Sequence, residues 1–484
     1  MPQARLDDLQ LHRSIDAPAL QSQLYQALSE RIFQGRLVPG DRLPASRRLA
    51  RDLNIGRNTV LAVYDQLAAE GFIEQQPRRG VFVHPQLPLL KRPETPRVTP
   101  AVSPPKPPAV TPPWLKGPDG PMTPPDWNER NAPFTPGLPD LNAFPLRTWN
   151  RLLHHQESRR SLMGYDGHQG FPPLRRAIAD YLRSARGVRC EPEQVIVTQG
   201  AQQALSLIAA LFLDRGDRVL MEDPGYRGSR YALHTAGVML EPIPLKDEVL
   251  DLERLPDTTE AKLLYCTPTH QYPMGGILTA SQRLRLLNWA VERDVWIIED
   301  DYDSEFHFYQ KPFAALQGLI DPAPVLYLGS FSKTLFPGLR LGYLVVPPHL
   351  VGAFTQLKRI QTGETSPLLQ AVTAEFIEEG HFHRHLRRMR QLYQHKWEHL
   401  QWLCEQYLEG LYTPIAQSAG MHLVLERDVD DRAVAARMAE VGYRPLALSE
   451  YGLGESPRRG LVVGFASADE SELQTGIQRL AQLG

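Results

Sequence analysis

Between residues 85 and 139 the chain carries 18 of its 43 prolines, as in "PRVTPAVSPPKPPAVTPPW". Each proline removes a backbone donor and fixes one dihedral angle. Such a run can neither pair its backbone nor bury much apolar surface, so residues 85–133 read as an extended, polyproline-like linker. The 484-residue chain must therefore fold on either side of it, as a short unit of residues 1–84 and a long one of residues 134–484. At about 100–200 residues per domain, two to four folding units are expected. The formal net charge of −2 excludes a protein that coats nucleic acid through general basicity; any such contact must come from a local patch. There is no apolar run of about 18 residues to span a membrane. The N-terminal "MPQARLDDLQLHRSIDAP" has no apolar signal core, which predicts a cytoplasmic protein. Cys190, Cys266 and Cys404 are widely separated, so buried, reduced thiols are expected rather than disulfides or structural zinc.

In the long unit, short apolar runs alternate with helical stretches. "QVIVTQG" precedes "AQQALSLIAALFL", and "KLLYCTP" precedes "SQRLRLLNWAVERD"; "VWIIEDD", "PVLYLGS" and "LGYLVVP" follow. Apolar strands of four to six residues, bounded by Gly, Pro or Asp, predict a mainly parallel central sheet in an α/β domain. From about residue 365 a long helical stretch leads into "GMHLVLE" and "GLVVGFA", which predicts a smaller C-terminal α+β subdomain.

The short unit is mostly helical. Leu20, Leu24, Leu28 and Ile32 recur every four residues, and "SRRLARDL" makes a second helix with Ser46 placed to cap it. A third helix turns Val60, Val63, Tyr64 and Leu67 inward, and "FIEQQPRRGVFV" gives two short strands around a basic turn. This is the order of a winged helix-turn-helix. Arginines 36, 42, 47, 48, 51 and 57 stand against Asp41 and Asp52, a local excess of +4. Arginine's planar fork suits phosphates and guanine edges. Residues 20–83 resemble the GntR family of winged-helix regulators, through "YQALSERIFQGRLVPGDRLPASRRLA", "GRNTVLAVYDQLAAEGFIE" and "RRGVFV". The resemblance implies contacts to a double-stranded DNA operator from Arg47, Arg57 and Thr59, with Gly80 at the wing tip. Leu61 stands where many members place an arginine.

A second chemistry surrounds Lys333 in "GSFSKTLFPGLR". A lysine amine can form a Schiff base with an aldehyde cofactor. Thirty-three residues upstream, "VWII" runs into "EDDYDSEF", whose acid could face a pyridinium nitrogen while a tyrosine bonds the phenolic oxygen of the same ring. An acidic cluster could hold magnesium instead, but no G-x-x-x-x-G-K-[ST] loop accompanies it. For a phosphate there are the strand-to-helix turn at Gly200, with N–H groups at Ala201 and Gln202, the hydroxyls of Ser330 and Ser332, and Arg340. Tyr226, after another strand, could stack on a ring.

Residues from Phe134 onward resemble fold-type I aminotransferases. With the N-terminal unit they resemble the MocR/GabR subfamily of GntR regulators, through "FTPGLPDLNAFP", "GYDGHQGFPPLRRAIADYL", "TPTHQYPMG", "EDDYDSEF" and "GSFSKTLFPGLRLGY". The resemblance implies pyridoxal phosphate (PLP) on Lys333, Asp300 facing the pyridine nitrogen, Tyr302 bonding the phenolic oxygen and Tyr226 stacked on the ring. It assigns Tyr165 to the phosphate of a neighbouring subunit. It also implies a head-to-tail homodimer with each DNA-binding unit near its partner's large domain. One departure bears on activity. Aminotransferases grip the substrate carboxylate with an arginine in a strand like R-L-x-F-A, and "GLVVGFAS" puts Val462 there, with Arg230, Arg458 and Arg459 as substitutes. The expected function is a PLP-dependent transcriptional regulator whose effector is an amino compound or PLP itself; the alternative is an active aminotransferase with a DNA-binding appendage. The pairs His381/His385 and His395/His399 have chelating i, i+4 spacing but no third ligand, so no metal is expected.

Overall fold

The computed structural model describes residues 19–76, 79–85, 131–309, 313–415, 419–454 and 458–483, with Leu6, Leu9, Leu11, Leu87 and Gln417 besides. Nearly all of the proline-rich stretch lies outside the described residues, as do Pro77 and Arg78 of the basic turn.

The N-terminal unit comprises α1 (Leu20–Phe33), α2 (Ser46–Asp52) and α3 (Arg57–Ala69), then an antiparallel ribbon of β1 (Ile73–Gln76) and β2 (Gly80–Val83). The four-residue period of α1 buries Leu24, Leu28 and Ile32, and α3 buries Val60, Val63, Tyr64 and Leu67, as the apolar spacing predicts. Phe33 meets Phe72 edge-on, with ring centroids 5.3 Å apart. One expectation fails. Ser46 does not cap α2; Ala45 holds the N-cap position, no side chain caps it, and Ser46 is the first helical residue. Pro44 fixes the entry instead, its carbonyl accepting the buried Tyr64 hydroxyl at 2.8 Å.

This unit is seated on the large domain of its own chain, whereas the resemblance speaks of a partner's domain in an assembly. The Glu70 carbonyl, just past α3, accepts the Ala280 N–H at 2.9 Å, and Arg189 reaches Glu30 at 3.4 Å. Apolar residues of α1 and α3 run into one core with Leu284, Leu287 and Leu319. The buried Glu70 carboxyl accepts the Tyr25 hydroxyl at 2.5 Å, and burial pushes it up to about 7.

The large domain opens with α4 (Leu146–Glu157) and α5 (Pro172–Arg186). Next come β3 (Val195–Thr198), α6 (Ala201–Phe212), β4 (Arg218–Asp223), α7 (Arg227–His234), β5 (Met239–Lys246), β6 (Val249–Leu250) and β7 (Ala261–Cys266). They are followed by α8 (Ala280–Arg293), β8 (Trp296–Asp301), β9 (Val325–Ser330), α9 (Phe331–Thr334), β10 (Gly342–Val345) and α10 (Val351–Gln361). The eight strands pair in the order β3-β10-β9-β8-β7-β4-β5-β6. Six run one way; β10 and β6 oppose them. Strands β3, β8 and β10 are buried along their length, which is why they read as near-continuous apolar runs. In such a sheet the carboxyl ends of the parallel strands open onto the ligand crevice.

Helices α11 (Pro367–Glu378) and α12 (His381–Tyr407) lead to the C-terminal lobe, which holds β11 (Thr413–Pro414), β12 (His422–Glu426), α13 (Asp431–Glu440), β13 (Leu446–Ala447), β14 (Gly460–Gly464) and α14 (Glu470–Leu483). Its sheet is antiparallel, in the order β11-β12-β14-β13. All three cysteines are free and buried. Among the described residues no helix is long and apolar enough to cross a membrane.

Candidate cofactor site and nucleic-acid surface

Five segments meet at the carboxyl edge of the sheet because each follows a parallel strand. Gly200–Gln202 follow β3, Tyr226 follows β4, His270 follows β7, Asp300–Asp303 close β8 and Lys333 follows β9. Asp301 lies level with Gly329 across the β8–β9 ladder, one residue short of Ser330. Ser330 caps α9 by accepting the Ser332 N–H at 3.1 Å. Lys333 stands on that single turn and donates from Nζ to the Gly137 carbonyl at 2.7 Å. Gly137 has φ of 72°, and a Cβ there would crowd Nζ, so glycine suits the close approach of this loop to the lysine.

The acids of "EDDYDSEF" separate by their partners. Glu299 accepts the backbone N–H groups of Leu316 and Gln317 at 2.7 and 3.0 Å. Asp301 takes the buried Arg186 guanidinium at 2.7 Å and the Tyr327 hydroxyl at 2.5 Å. Asp303 lies against His270 at 2.9 Å. Asp300 is 5% exposed and accepts the Tyr265 hydroxyl at 2.6 Å, but among the described residues no cation lies within ion-pair distance of it. Burial, above all, pushes its carboxyl up to about 7. A buried carboxylate in this state is stabilised by an arriving cation.

Tyr302 donates or accepts at His270 Nδ1 over 2.8 Å, and the two rings stack with centroids 5.8 Å apart. The Tyr226 ring lies over Gly228, and its hydroxyl accepts from Gln202 at 3.4 Å. Gly200 is the N-cap of α6, with Arg340 donating to the neighbouring Gln199 carbonyl at 3.3 Å. Gly342 of β10 pairs with both Thr198 and Ser330, so the ladder brings the α6 N-terminus, Ser330 and Arg340 together. Helix starts, hydroxyls and guanidinium groups are the donors that suit an anion. Tyr165 takes no part in this grouping and is 96% exposed.

The carboxylate-gripping position differs in kind. Val462 pairs with Val424 and Leu446 and is buried among Met274, Ile415 and Tyr451. Arg458 is held by Glu248 at 2.6 Å and Glu426 at 2.5 Å, Arg459 lies 3.8 Å from Asp428, and the buried Arg230 donates to the carbonyls of Gly452 and Glu450. The histidines of α12 disperse likewise: His381 goes to Glu379 and His395 to Glu470, each at 2.9 Å. His399 stacks on Trp402, and burial holds the His385 imidazole down to about 4. Among the described residues no group of three or more candidate ligands could hold a metal ion.

On the N-terminal unit, all six arginines between residues 36 and 57 are exposed, and Arg48 lies 3.6 Å from Asp52. Arg47 is on α2, Arg57 opens α3, and Thr59, one turn further on, is half-buried. Gly80 begins β2, with the Arg42 side chain close against it.

Four residues of the pocket escaped sequence reasoning: Gly137, Tyr265, His270 and Asp303. Three of them, Gly137, His270 and Asp303, lie within "FTPGLPDLNAFP", "TPTHQYPMG" and "EDDYDSEF"; the signal is the motif as a whole, with nothing to say which residue faces inward.

The pattern of aminotransferase class I and II matches residues 138–480, and that of the bacterial regulatory proteins of the gntR family matches residues 20–83. A "Probable rhizopine catabolism regulatory protein MocR" of Rhizobium meliloti is 39% identical over 482 residues, which is 98% of this chain and 95% of that one. The chain belongs to the MocR-type regulators of the GntR family. This MocR-type chain is also 32% identical to the pyridoxine biosynthesis transcriptional regulator PdxR of Corynebacterium glutamicum, over 94% of each chain. Among solved structures, LysN, the α-aminoadipate aminotransferase of Thermus thermophilus complexed with N-(5'-phosphopyridoxyl)-L-leucine, shares the fold. Its TM-score is 0.67 and its identity 28%, over 73% of this chain and 92% of that one. The MocR-type large domain is thus a fold-type I domain that binds PLP. The residues present suit that cofactor: a lysine amine, a buried acid and a helix start with free N–H groups stand at the same edge of the sheet.

Proposed function

We propose that the PLP-binding domain of this MocR-type regulator is a sensor, and that its ligand state sets how the winged helix binds an operator. The observation that carries this reading is Asp300, buried beside the strand that delivers Lys333 and, among the described residues, with no cation at ion-pair distance. PLP, when bound, supplies an aldehyde for a lysine amine and an electron sink for chemistry at an amine. Lys333 offers its amine, and it must leave the Gly137 carbonyl to do so. Asp300 receives the charge of the ring nitrogen, Tyr302 faces the phenolic oxygen and Tyr226 covers the ring. Gly200, Ala201, Gln202, Ser330, Ser332 and Arg340 hold the phosphate.

The exposure of Tyr165 supports its assignment to the phosphate of a second subunit, in a head-to-tail homodimer. Arg47, Arg57, Thr59 and Gly80 form the DNA-reading surface, which their exposed or half-exposed places on α2, α3 and β2 support. The effector is an amino compound or PLP itself. Val462 favours sensing over turnover, because its strand offers no guanidinium to orient a substrate carboxylate. PdxR, a regulator of pyridoxine biosynthesis, is in keeping with PLP as the signal. The enzyme reading draws on a 2-aminoadipate transaminase of Thermus thermophilus, 31% identical over 72% of this chain.

Mobility shifts on the protein's own upstream DNA, with and without PLP, test the choice. A several-fold change in affinity is expected. Equal affinity, together with rapid turnover of amino acids against a keto-acid acceptor, would replace the sensor by an enzyme.

A further inference from the structure

His270 and Asp303 are buried at 2% and 1% exposure beneath Tyr302, and neither has a place in the cofactor contacts described so far. One ring nitrogen, His270 Nδ1, meets three oxygens: the two of Asp303 at 2.9 and 3.1 Å and the Tyr302 hydroxyl at 2.8 Å. The other nitrogen, Nε2, is buried with no hydrogen-bond partner among the described residues. A proton on Nε2 would leave a donor orphaned and set the Nδ1 lone pair against carboxylate lone pairs. A proton on Nδ1 serves Asp303 and orphans only an acceptor, the cheaper defect. The ring is also held in place. Gly420, with φ of 90°, lies against its Cε1, and any side chain there would collide with the imidazole. The His422 ring stands 5.7 Å away, tied by Nε2 to the Pro273 carbonyl at 2.8 Å.

We propose that His270, its Nδ1 proton fixed by Asp303, is a positioning residue that turns Tyr302 into a hydrogen-bond donor toward the cofactor's phenolic oxygen. With its proton on Nδ1 given to Asp303, that nitrogen has no lone pair to accept the Tyr302 hydroxyl, whose own proton must point elsewhere, into the pocket. Without His270 the hydroxyl is free to give its proton to Asp303 instead. The inference rests on PLP binding at Lys333. The titratable groups around the Tyr302–His270 pair are Asp300, Asp303, Glu222, Tyr272, His307, His422 and Lys333.

Donation to the phenolic oxygen draws electron density from it and weakens its hold on the proton shared with the lysine nitrogen. Loss of that donation therefore raises the pH midpoint of the visible absorbance band of bound PLP. Tyr302→Phe sets the full size of the rise. His270→Leu is expected to raise the midpoint in the same direction, by about half a unit or more. His270→Asn, which keeps an N–H near Nδ1, should restore most of the wild-type value. The double variant H270L/Y302F should shift no further than Tyr302→Phe alone, since the two act through one contact. A wild-type midpoint in His270→Leu, or additive shifts in the double variant, overturns the proposal. Should His270→Leu fail to fold, Asp303→Asn serves, with a rise expected and no change overturning. A second measurement needs no cofactor: nitrogen-15 shifts of histidine-labelled protein should show His270 protonated at Nδ1. Protonation at Nε2 would overturn the proposal whether or not PLP binds, whereas absence of the band in wild-type protein would overturn the cofactor reading on which it rests.

Discussion

The N-terminal unit and the crevice of the large domain use charge in opposite ways. The unit displays six exposed arginines around α2 and α3, while the crevice buries Asp300, Asp303 and Glu222 beneath the carboxyl ends of the strands. Exposed charge keeps its ordinary protonation, attracts a polyanion over distance and is screened by salt. Buried charge loses hydration, so its protonation moves and becomes responsive to whatever enters beside it. One region presents its charge outward, the other buries it in the PLP-binding domain, and they can be probed separately.

The largest expected effect is in the crevice. Lys333→Ala should abolish the visible band of bound PLP outright, read by absorbance on purified protein. Asp300→Asn should then weaken PLP retention on the order of 100-fold, from about 3 kcal/mol for removing one member of a buried charge pair; equilibrium dialysis measures it. The contrast sharpens with pH. Burial pushes Glu70, Glu222, Glu299 and Asp300 up to about 7 in the folded chain, from ordinary values of 4.5 for Glu and 3.8 for Asp. Between those values the folded state holds more protons than the unfolded one, so the stability they contribute is lost as pH rises through 7. The buried His307 and His422, lowered to about 3 from 6.5, act in the opposite sense, but only below 6.5. Cofactor-free protein should therefore lose melting temperature between about pH 6.5 and 8. PLP-loaded protein should lose less, because a cation beside Asp300 brings its pKa back down. Calorimetry at the two pH values, with and without PLP, decides this.

Effects on the exposed side are smaller. Arg57→Ala should weaken operator binding by about 1–3 kcal/mol if it reads a base, or lower the salt slope by about one if it meets a phosphate. Titrations at several salt concentrations separate these. Arg48→Ala, which breaks a solvated pair with Asp52, should change stability by less than about 0.5 kcal/mol in denaturant melts. A loss as large as that of Asp300→Asn would break the contrast between the two regions.

Much of this was legible in the sequence, for reasons that also mark the limits. Helix α3 was readable because its apolar spacing is local, and the strands because burial on both faces leaves an apolar run. The start of α2 was misread, since the chain enters it through a tertiary bond from Tyr64 to Pro44 and not through Ser46. The role of His270 was hidden because its partners, Tyr302 and Asp303, lie 32 and 33 residues away on another strand end. The acids of "EDDYDSEF" all looked alike until Arg186, Tyr265 and the backbone of Leu316 told them apart.

The contact between Lys333 and Gly137 has a mechanical consequence. Gly137 lies in the first described segment after the proline-rich stretch, and Phe134, three residues before it, is pinned to Gly464 of the C-terminal lobe. The chain that arrives from the DNA-reading unit is thus held first on the C-terminal lobe, at Pro133 and Phe134, and passes the lysine at Gly137. The Gly137 carbonyl oxygen is the one that Lys333 must release when its amine is engaged. Engaging the amine of Lys333 would therefore release, at that oxygen, one hold on the arriving chain.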